Sequence, residues 1–420
     1  MTVWIVEPRD PLIVRDGRPF SADPGAWASS LPFPFPSTTS GGVRTRAGLD
    51  HNGTFKYTKG NEKELQELKQ LGVRGPLLVQ LTTNGSDIDK FNWLVPAPSD
   101  GVLLEIETKQ DGKRTDLINQ LVPLDLPEGA QTDLDQQGLW FVGQVCCDKR
   151  KPYKEAPLFW HWNKFQTWLH NPSSLCKEIK EVSELGLKNL VREQRLHVSI
   201  DASTEVARDG MLFGTSGLEF TSPDKDEPSL QNAKRLALAV VVDDSNLFIP
   251  QAGLASFGGE RRIVSWRKSD MKLPSCPEDL KRSIIEDKAC RLILLTPASF
   301  KQGYFPTWLC TDAEQHGVMI DIRAIAVQRP QIVSGWDLAL RKPKPSRRLV
   351  PAGTAFFLKL KGSHDAINNW IQAIWMQCIS DDFQRDPRDT ISNDMQDRKD
   401  GFGLAVLGTW NGVPTPMQTR

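Results

Sequence analysis

Between Ser30 and Leu49 the chain reads SLPFPFPSTTSGGVRTRAGL, and an apolar, proline-rich run gives way at Pro36 to four successive hydroxyls, Ser37, Thr38, Thr39 and Ser40. Any of these can cap the free N–H groups that open a helix. Gly41 and Gly42 leave the backbone bare, and Arg44 and Arg46 follow within about one turn. This combination suits a phosphate, because unpaired N–H groups and the helix dipole both favour an anion at a helix start. The plainer reading is a capped surface helix with two solvated arginines, and no G-x-x-x-x-G-K-[ST] loop makes a nucleotide site specific.

A second cationic stretch is GLASFGGERRIVSW (Gly253 to Trp266), read as a helix end, the glycine pair Gly258 and Gly259, two arginines and a strand. Arg261 and Arg262 there can instead alternate along the strand, one solvated and the other paired with Glu260. A third is RKPKPSRR, where Arg341, Lys342, Lys344, Arg347 and Arg348 stand without an acid in a loop that prolines keep extended.

Acid–base and metal chemistry find less support. The histidines are His51, His161, His170, His197, His316 and His364, and none has a partner in a recognisable catalytic motif. His197 sits in an alternating strand where a structural role fits, and the His364–Asp365 dipeptide opens a helix with no further His nearby. Asp381, Asp382, Asp386, Asp389, Asp394, Asp397 and Asp400 lack calcium-loop spacing and read as a solvated loop. Seven cysteines with no C-x-x-C pair suggest neither a zinc site nor a disulfide framework, so no metal and no cofactor is expected.

The elements that must position these residues belong to a chain of 420 residues, long enough for about two or three domains. Lys plus Arg equals Asp plus Glu at 52 each, so an anion site must be a local patch. The start MTVWIVEPRD does not read as a signal peptide, and no apolar run reaches membrane-spanning length; a reducing cytoplasm is the expected setting, with no membrane contact.

Strands are expected at Val3–Val6, after the turn RGPLLVQLT, at Arg195–Ile200 with Gly210–Phe220 as its partner, and at Lys234–Val242. The carboxyl-terminal part adds strands at Arg291–Thr296, Met319–Val327 and within AFFLKL, then a helix over His364–Met376. Leu65, Leu68 and Leu71 mark a short amphipathic helix, and Trp160, Trp162, Phe165, Trp168 and Leu169 a core-facing one. Gly101–Gln137, polar and weakly periodic, reads as an insertion or mobile loop. KLPSCPEDLKRS (Lys272 to Ser283) breaks the pattern and is the expected domain boundary. Each half ends in a glycine-containing loop feeding a strand, FGGERR in one and KDGFGLAVLGTW in the other, which favours two α+β units of similar design.

Taken together and in order, PLIVRDGRPF, PFPSTTSGGVRTRAG, RGPLLV, PAPSD, RLHVSID with DGMLF, FGGERR, LTPASF with GYFP, VSGWD and PAGTAFFLKL span nearly the whole chain. In this the chain resembles the RAMP-superfamily third subunit of the type III-B CRISPR Cmr effector complex. The resemblance implies two ferredoxin-like, RRM-related domains with glycine-rich loops at FGGERR and DGFG. They would span residues 1–271, with a large insertion near 101–193 that could hold an extended hairpin, and 284–420.

It also implies a role like that of Cas five-type subunits: holding the 5′ tag of the guide RNA without catalysis. The implied partners are that RNA, the large polymerase-like subunit and the backbone RAMP subunit. Single-stranded RNA is clamped by main-chain N–H groups, hydroxyls and Arg. The expected contacts are then Arg18, Ser37, Thr38, Gly41, Gly42, Arg44 and Arg46 in one cluster and Gly258, Gly259, Arg261 and Arg262 in another. Lys342, Lys344, Arg347 and Arg348 could touch RNA backbone or a partner's acidic surface. The alternatives are a RAMP endoribonuclease that processes guide precursor and a scaffold that contacts only protein.

Overall fold

The run Val3–Val6 is apolar at every position, the mark of a strand covered on both faces. In the computed structural model it forms the centre of β1 (Thr2–Pro8), with Ile5 and Val6 fully enclosed. The structure describes residues 1–15, 27–28, 30–57, 61–82, 91–105, 117–146, 148–223, 233–245, 247–306, 309, 317–337, 342–381 and 397–418. They fall into two compact units. The first comprises Met1–Asn92, Asn189–Lys272 and Ile332–Arg348, and the second Trp93–Lys188, Leu273–Gln331 and Leu349–Arg420.

In the first unit β1 lies between β14 (Lys234–Val242), with Val3 opposite Val241, and β16 (Arg262–Ser269), with Val6 opposite Trp266. β3 (Val73–Leu81) adds beyond β14 and β15 (Gly253–Phe257) beyond β16, giving the antiparallel order β3-β14-β1-β16-β15. β13 (Thr221–Ser222) pairs with β14. Gly253–Phe257 is thus a strand, not the helix end read from its glycines; its pairing with β16 decides against local propensity.

Helix α1 (Pro36–Ala47) packs on this sheet because Gly42 has no side chain: a Cβ there would stand 2.8 Å from the Phe257 ring and 3.3 Å from Trp266. Helix α2 (Glu62–Lys69) buries Leu68, and Leu71 follows, as the leucine spacing predicts.

Two further pieces belong to this unit. β11 (Val191–Ile200) and β12 (Ala207–Glu219) form a long antiparallel ribbon, with β2 (Trp27–Ala28) parallel to β12. The ribbon starts at Val191, at the end of the 101–193 region in which an extended hairpin was expected. β19 (Gln331–Asp337) pairs with β20 (Lys342–Leu349), so the basic run is a strand rather than a loop. Its prolines are tolerated because a two-stranded ribbon has an unpaired edge on each side.

The second unit is built on β17 (Ala289–Leu294), every residue of which is buried. With β18 (Met319–Ala326), β21 (Ala355–Lys361), β22 (Gln377–Cys378) and β23 (Leu404–Thr409) it forms a sheet in the order β18-β21-β17-β23-β22. Helix α5 (Glu278–Asp287) precedes β17, and α6 (His364–Ile374) follows β21, capped where Ser363 Oγ accepts from the Ala366 N–H. A short helix α7 (Asp397–Asp400) leads into the DGFG loop.

The stretch read as an insertion or mobile loop, Gly101–Gln137, forms short strands over its described residues. β5 (Gly101–Leu103) pairs with β6 (Ile118–Gln120), and β7 (Val122–Asp125) lies between β8 (Val142–Gly143) and the distant β24 (Thr415–Pro416). Strands of two to four residues are too short to leave a periodic signal. β4 (Phe91–Pro96), β9 (Phe159–His161) and β10 (Gly186–Leu187) pair in that order, and helices α3 (Trp162–His170) and α4 (Pro172–Glu178) follow β9. Trp160, Phe165, Trp168 and Leu169 are fully enclosed, the core role expected of them.

One buried charge ties this stretch to the sheet. Arg291 on β17 is wholly enclosed and donates to Asp100 Oδ2 (2.5 Å), the Trp168 carbonyl (2.7 Å) and the Thr409 carbonyl (2.8 Å). Asp100, also wholly enclosed, accepts a further bond from Trp168 Nε1 at 3.0 Å. A buried cation persists only when its donors are met in this way.

The carboxyl-terminal acids depart from the solvated loop expected of them. Asp381, Asp397 and Asp400 are buried, while Asp382, Asp386, Asp389 and Asp394 lie outside the described residues. Asp381 Oδ2 accepts from the Lys301 N–H (2.5 Å), and burial raises its pKa above the usual carboxylate value. Among the described residues no helix is long and apolar enough to cross a membrane.

Candidate nucleic-acid interface

The hydroxyl run at α1 does not cap the helix. Pro36 takes the first helical position, where its fixed φ and missing N–H suit it, so Phe35 becomes the N-cap and supplies no side-chain acceptor. Ser37 to Ser40 are drawn inside the helix instead. Thr39 Oγ1 donates to the Pro36 carbonyl (2.9 Å) and Ser40 Oγ to that of Ser37 (3.2 Å), and both residues are buried. Ser37 and Thr38 are half-buried, Gly41 is exposed with open space at its Cβ position, and Gly42 faces the sheet.

The arginines of α1 are held by the protein itself. Arg44 Nη2 donates to the Leu71 carbonyl at 3.1 Å. Arg46 forks onto Gln251 O through Nε (2.9 Å) and Nη2 (2.6 Å) and reaches Ala252 O at 2.8 Å. Partial burial pulls the Arg46 pKa below its ordinary value, yet a guanidinium stays charged in a protein. Both side chains therefore fasten α1 to neighbouring loops, and neither is the solvated arginine of the plain reading.

The second cluster is a tight turn between β15 and β16. Gly258 has φ +72°, and a Cβ there would come within 2.7 Å of the Ile13 carbonyl, so only glycine fits without a shift. The Gly259 N–H donates to that carbonyl at 2.6 Å, fixing the turn against the Leu12–Val14 segment. Glu260 and Arg261 then adopt φ +56° and +52°, left-handed values that cost a non-glycine residue about 1–2 kcal/mol each.

Glu260 is gripped from both sides, by Arg15 Nη2 (2.8 Å) and by Arg262 Nη2 (3.2 Å). That one of the two arginines would pair with Glu260 was expected, and it is Arg262; the role of Arg15 was not, although it stands in the PLIVRDG segment. Arg262 Nε is shielded and has no hydrogen-bond partner among the described residues. Arg261 is exposed, on a turn rather than along the strand. The turn thus holds two cations on one acid and displays a third, Arg261.

The two clusters share the β15 edge. Gly42 of α1 touches Phe257 beside the turn, whereas Arg46 lies at the other end of β15, 3.9 Å from a Cβ on Gly253. Four strand steps separate these ends, about 13 Å at ~3.3 Å per residue. The amino-terminal end of α1 therefore faces the turn, and Arg46 points away from it.

Arg18 lies outside the described residues, as do the side chains of Lys342 and Lys344. On β20 Arg348 is exposed and Arg347 half-buried. Of the histidines, His197 Nε2 lies 2.9 Å from Thr215 Oγ1 and its ring stacks on Phe213, the structural role expected of it. His316 lies outside the described residues. No group of three His, Cys, Asp or Glu side chains arranged to hold a metal occurs among the described residues.

A family model described as CRISPR-associated protein (Cas_Cmr3) matches residues 4–410. A search of curated proteins returned no match. Among solved structures, the chain is similar to a chain of the type III-B Cmr-beta complex bound to cognate target RNA and AMPPnP. The identity is 17% and the TM-score 0.47, with 96% of this chain and 98% of that chain covered. A second Cmr-beta structure bound to cognate target RNA gives 16% identity and TM-score 0.47, covering 96% of each chain. A chain of the Csm3–Csm4 subcomplex of the type III-A CRISPR-Cas interference complex gives 10% identity and TM-score 0.30, covering 86% of this chain and 94% of that one.

Proposed function

The chain belongs to the CRISPR-associated Cas_Cmr3 family, as its ordered motifs implied, and from that premise we propose that it holds the 5′ tag of the guide RNA in a type III-B effector complex. In this reading it is a non-catalytic subunit that joins the large polymerase-like subunit to the filament of backbone RAMP subunits. Counted along the chain, β1, β3, β14 and β16 stand in their sheet in the order second, third, first, fourth, and β17, β18, β21 and β23 repeat that order. This supports reading both sheets as ferredoxin-like, RRM-related domains, with their boundary near residues 271–284.

The observation that carries the tag-holding role is the β15–β16 turn, where two consecutive non-glycine residues hold left-handed backbone and the second displays an exposed cation. Backbone strain persists where surrounding structure enforces it, and functional loops are where it collects. Main-chain N–H groups of the turn, with Arg261 and Arg262, supply the donors that clamp a single-stranded backbone. Ser37, Thr38 and Gly41, in the amino-terminal half of α1, complete the proposed groove. Arg44 and Arg46, engaged with carbonyls, contribute chiefly by holding α1 in place.

Arg261→Gly tests this. It relieves the left-handed strain, so the fold should gain up to about 1 kcal/mol, while guide-RNA affinity falls and the log–log salt slope flattens by about 0.7. Unchanged affinity and slope in the stabilised variant would refute the assignment. Incubating the purified protein with precursor RNA and with tag-bearing guide separates the remaining readings: cleavage would mark an endoribonuclease, and absence of binding a protein-only scaffold.

A further inference from the structure

In the second unit the segment DKRKPYK, Asp148 to Lys154, gathers Lys149, Arg150, Lys151 and Lys154 around Tyr153, and the interface described above uses none of them. One of the four cations is spent on the fold. Arg150 reaches Asp148 through Nε (3.1 Å) and Nη2 (2.7 Å) and donates from Nη1 to the Glu105 carbonyl (3.2 Å), with its side chain only 8% exposed. Asn119 Nδ2 on β6 donates to the same carboxylate at 3.3 Å, and the hydrogen bonds from Arg150 hold the Asp148 pKa down to about 2. The backbone is fixed as well. The Glu105 N–H donates to the Lys151 carbonyl (3.0 Å) and the Tyr153 N–H to the Leu103 carbonyl (2.9 Å), which lays Pro152 opposite Leu104 at the end of β5. The segment is therefore a clamped edge rather than a solvated loop, and the side chains it presents start from an ordered backbone.

Those side chains are cationic and uncommitted. Lys149, Lys151 and Lys154 are exposed, and among the described residues their ammonium groups make no ion pair or hydrogen bond. The acids of the segment are engaged elsewhere, Asp148 with Arg150 and Glu155 with Lys188. Three ammonium groups thus stand against one uncommitted carboxylate beside them, that of Glu105. In a chain whose charges balance at 52 each, this is a local excess of the kind that draws an anion.

The aromatic residue decides which anion. Lys151 and Tyr153 flank Pro152 and so share a face, about 6.6 Å apart at ~3.3 Å per residue. Tyr153 is half-buried, and among the described residues its ring packs on no other ring and its hydroxyl has no hydrogen-bond partner. An acidic protein surface would use the lysines alone, whereas a single nucleic-acid strand uses both, stacking a base on the ring and setting its phosphates on the cations.

We propose that Lys149, Lys151, Lys154 and Tyr153 form a second RNA-binding strip, which takes the phosphates and one base of a single strand without regard to sequence. It goes beyond the tag-holding reading and does not depend on it, because the β15–β16 turn belongs to the first unit and this strip to the second.

The test titrates the full chain, over a range of salt, with a fluorescein-labelled single-stranded RNA of mixed sequence that lacks the tag. Lys149→Gln, Lys151→Gln and Lys154→Gln together should lower affinity at low salt by about tenfold or more and flatten the log–log salt slope by about 2. The matching triple change to Arg keeps the charge and should keep both values. Tyr153→Leu should lower affinity by about fivefold or more with the slope unchanged, Tyr153→Phe should bind like the wild type, and annealing the RNA to its complement should abolish the effect of Tyr153→Leu. The lysine effect should be the same in an Arg261→Gly background, which separates this strip from the tag turn. In the assembled complex, an ultraviolet crosslink lost in Tyr153→Leu, sought to labelled guide and labelled target in turn, names the strand that supplies the RNA. An unchanged slope in the Gln variant overturns the proposal, as does a lysine effect that vanishes in the Arg261→Gly background or a crosslink to neither strand. Polyglutamate that competes as well as RNA, with Tyr153→Leu silent, overturns it too and assigns the strip to an acidic protein surface.

Discussion

Asp100→Ala strands Arg291 in the interior of the second unit. The guanidinium would keep its bonds to the Trp168 and Thr409 carbonyls but lose the Asp100 carboxylate, and Trp168 Nε1 would lose its acceptor. Both charged side chains are wholly inaccessible, so solvent cannot replace what is removed. Breaking such a pair from one side costs about 3–5 kcal/mol, a large share of the roughly 5–15 kcal/mol that holds a domain folded. At about 2–4 °C per kcal/mol for a unit of this size, the melting temperature of the second unit should fall by about 6–20 °C.

Differential scanning calorimetry of the full chain would measure the shift, with guide-RNA binding well below the transition as a control, since the proposed groove lies in the first unit. Replacing both partners, Asp100→Leu with Arg291→Met, should recover much of the loss, because an apolar pair of similar volume needs no compensation. A loss under about 1 kcal/mol, within what ordinary surface changes and weak contacts produce, would refute the view that this buried pair joins Trp93–Lys188 to the β17 sheet.

The two glycines of α1 should behave oppositely. Gly41→Ala, with open space around it, should stabilise by about 0.8–1 kcal/mol, whereas Gly42→Val should destabilise by about 1–3 kcal/mol through collision with Phe257; urea titration of each variant checks the sign. Asp381 has a raised native pKa, so its contribution is fully present below the unfolded carboxylate value and is lost as pH rises through the native one. Asp381→Asn should therefore remove that pH dependence and raise stability at neutral pH, and a variant whose stability follows pH like the wild type between acid and neutral would disprove it. Charge reversal of Lys342, Lys344, Arg347 and Arg348 to Glu should weaken assembly or guide affinity, since a like-charge clash costs several kcal/mol while neutral surface changes stay within about ±0.5. Unchanged assembly and affinity at low salt would make β20 a merely solvated strand.

Much of this protein was legible in its residues because the signals are local. The apolar run of β1, the leucine spacing of α2 and the aromatic face of α3 each state their burial in a few consecutive positions. The ordered motifs carried the family, since their sequence along the chain needs no knowledge of contacts. What the tertiary structure decided are pairings between distant segments. Leu124 meets Thr415, 291 positions further along, so a stretch that reads as loop becomes a strand. Pro36 takes the first helical position, which moves the N-cap back to Phe35, two residues before Ser37, and turns four apparent caps into helix interior.

Arg46 and Arg44 could not be told from phosphate ligands until Gln251, Ala252 and Leu71 brought their carbonyls to them. Glu260 drew in Arg15 from far away in the sequence, and that grip holds the left-handed turn displaying Arg261. Composition and spacing specify which groups are available. Which of them are already spent on the protein's own backbone depends on distances of a few ångströms between residues that the chain separates by hundreds of positions, and only packing sets those.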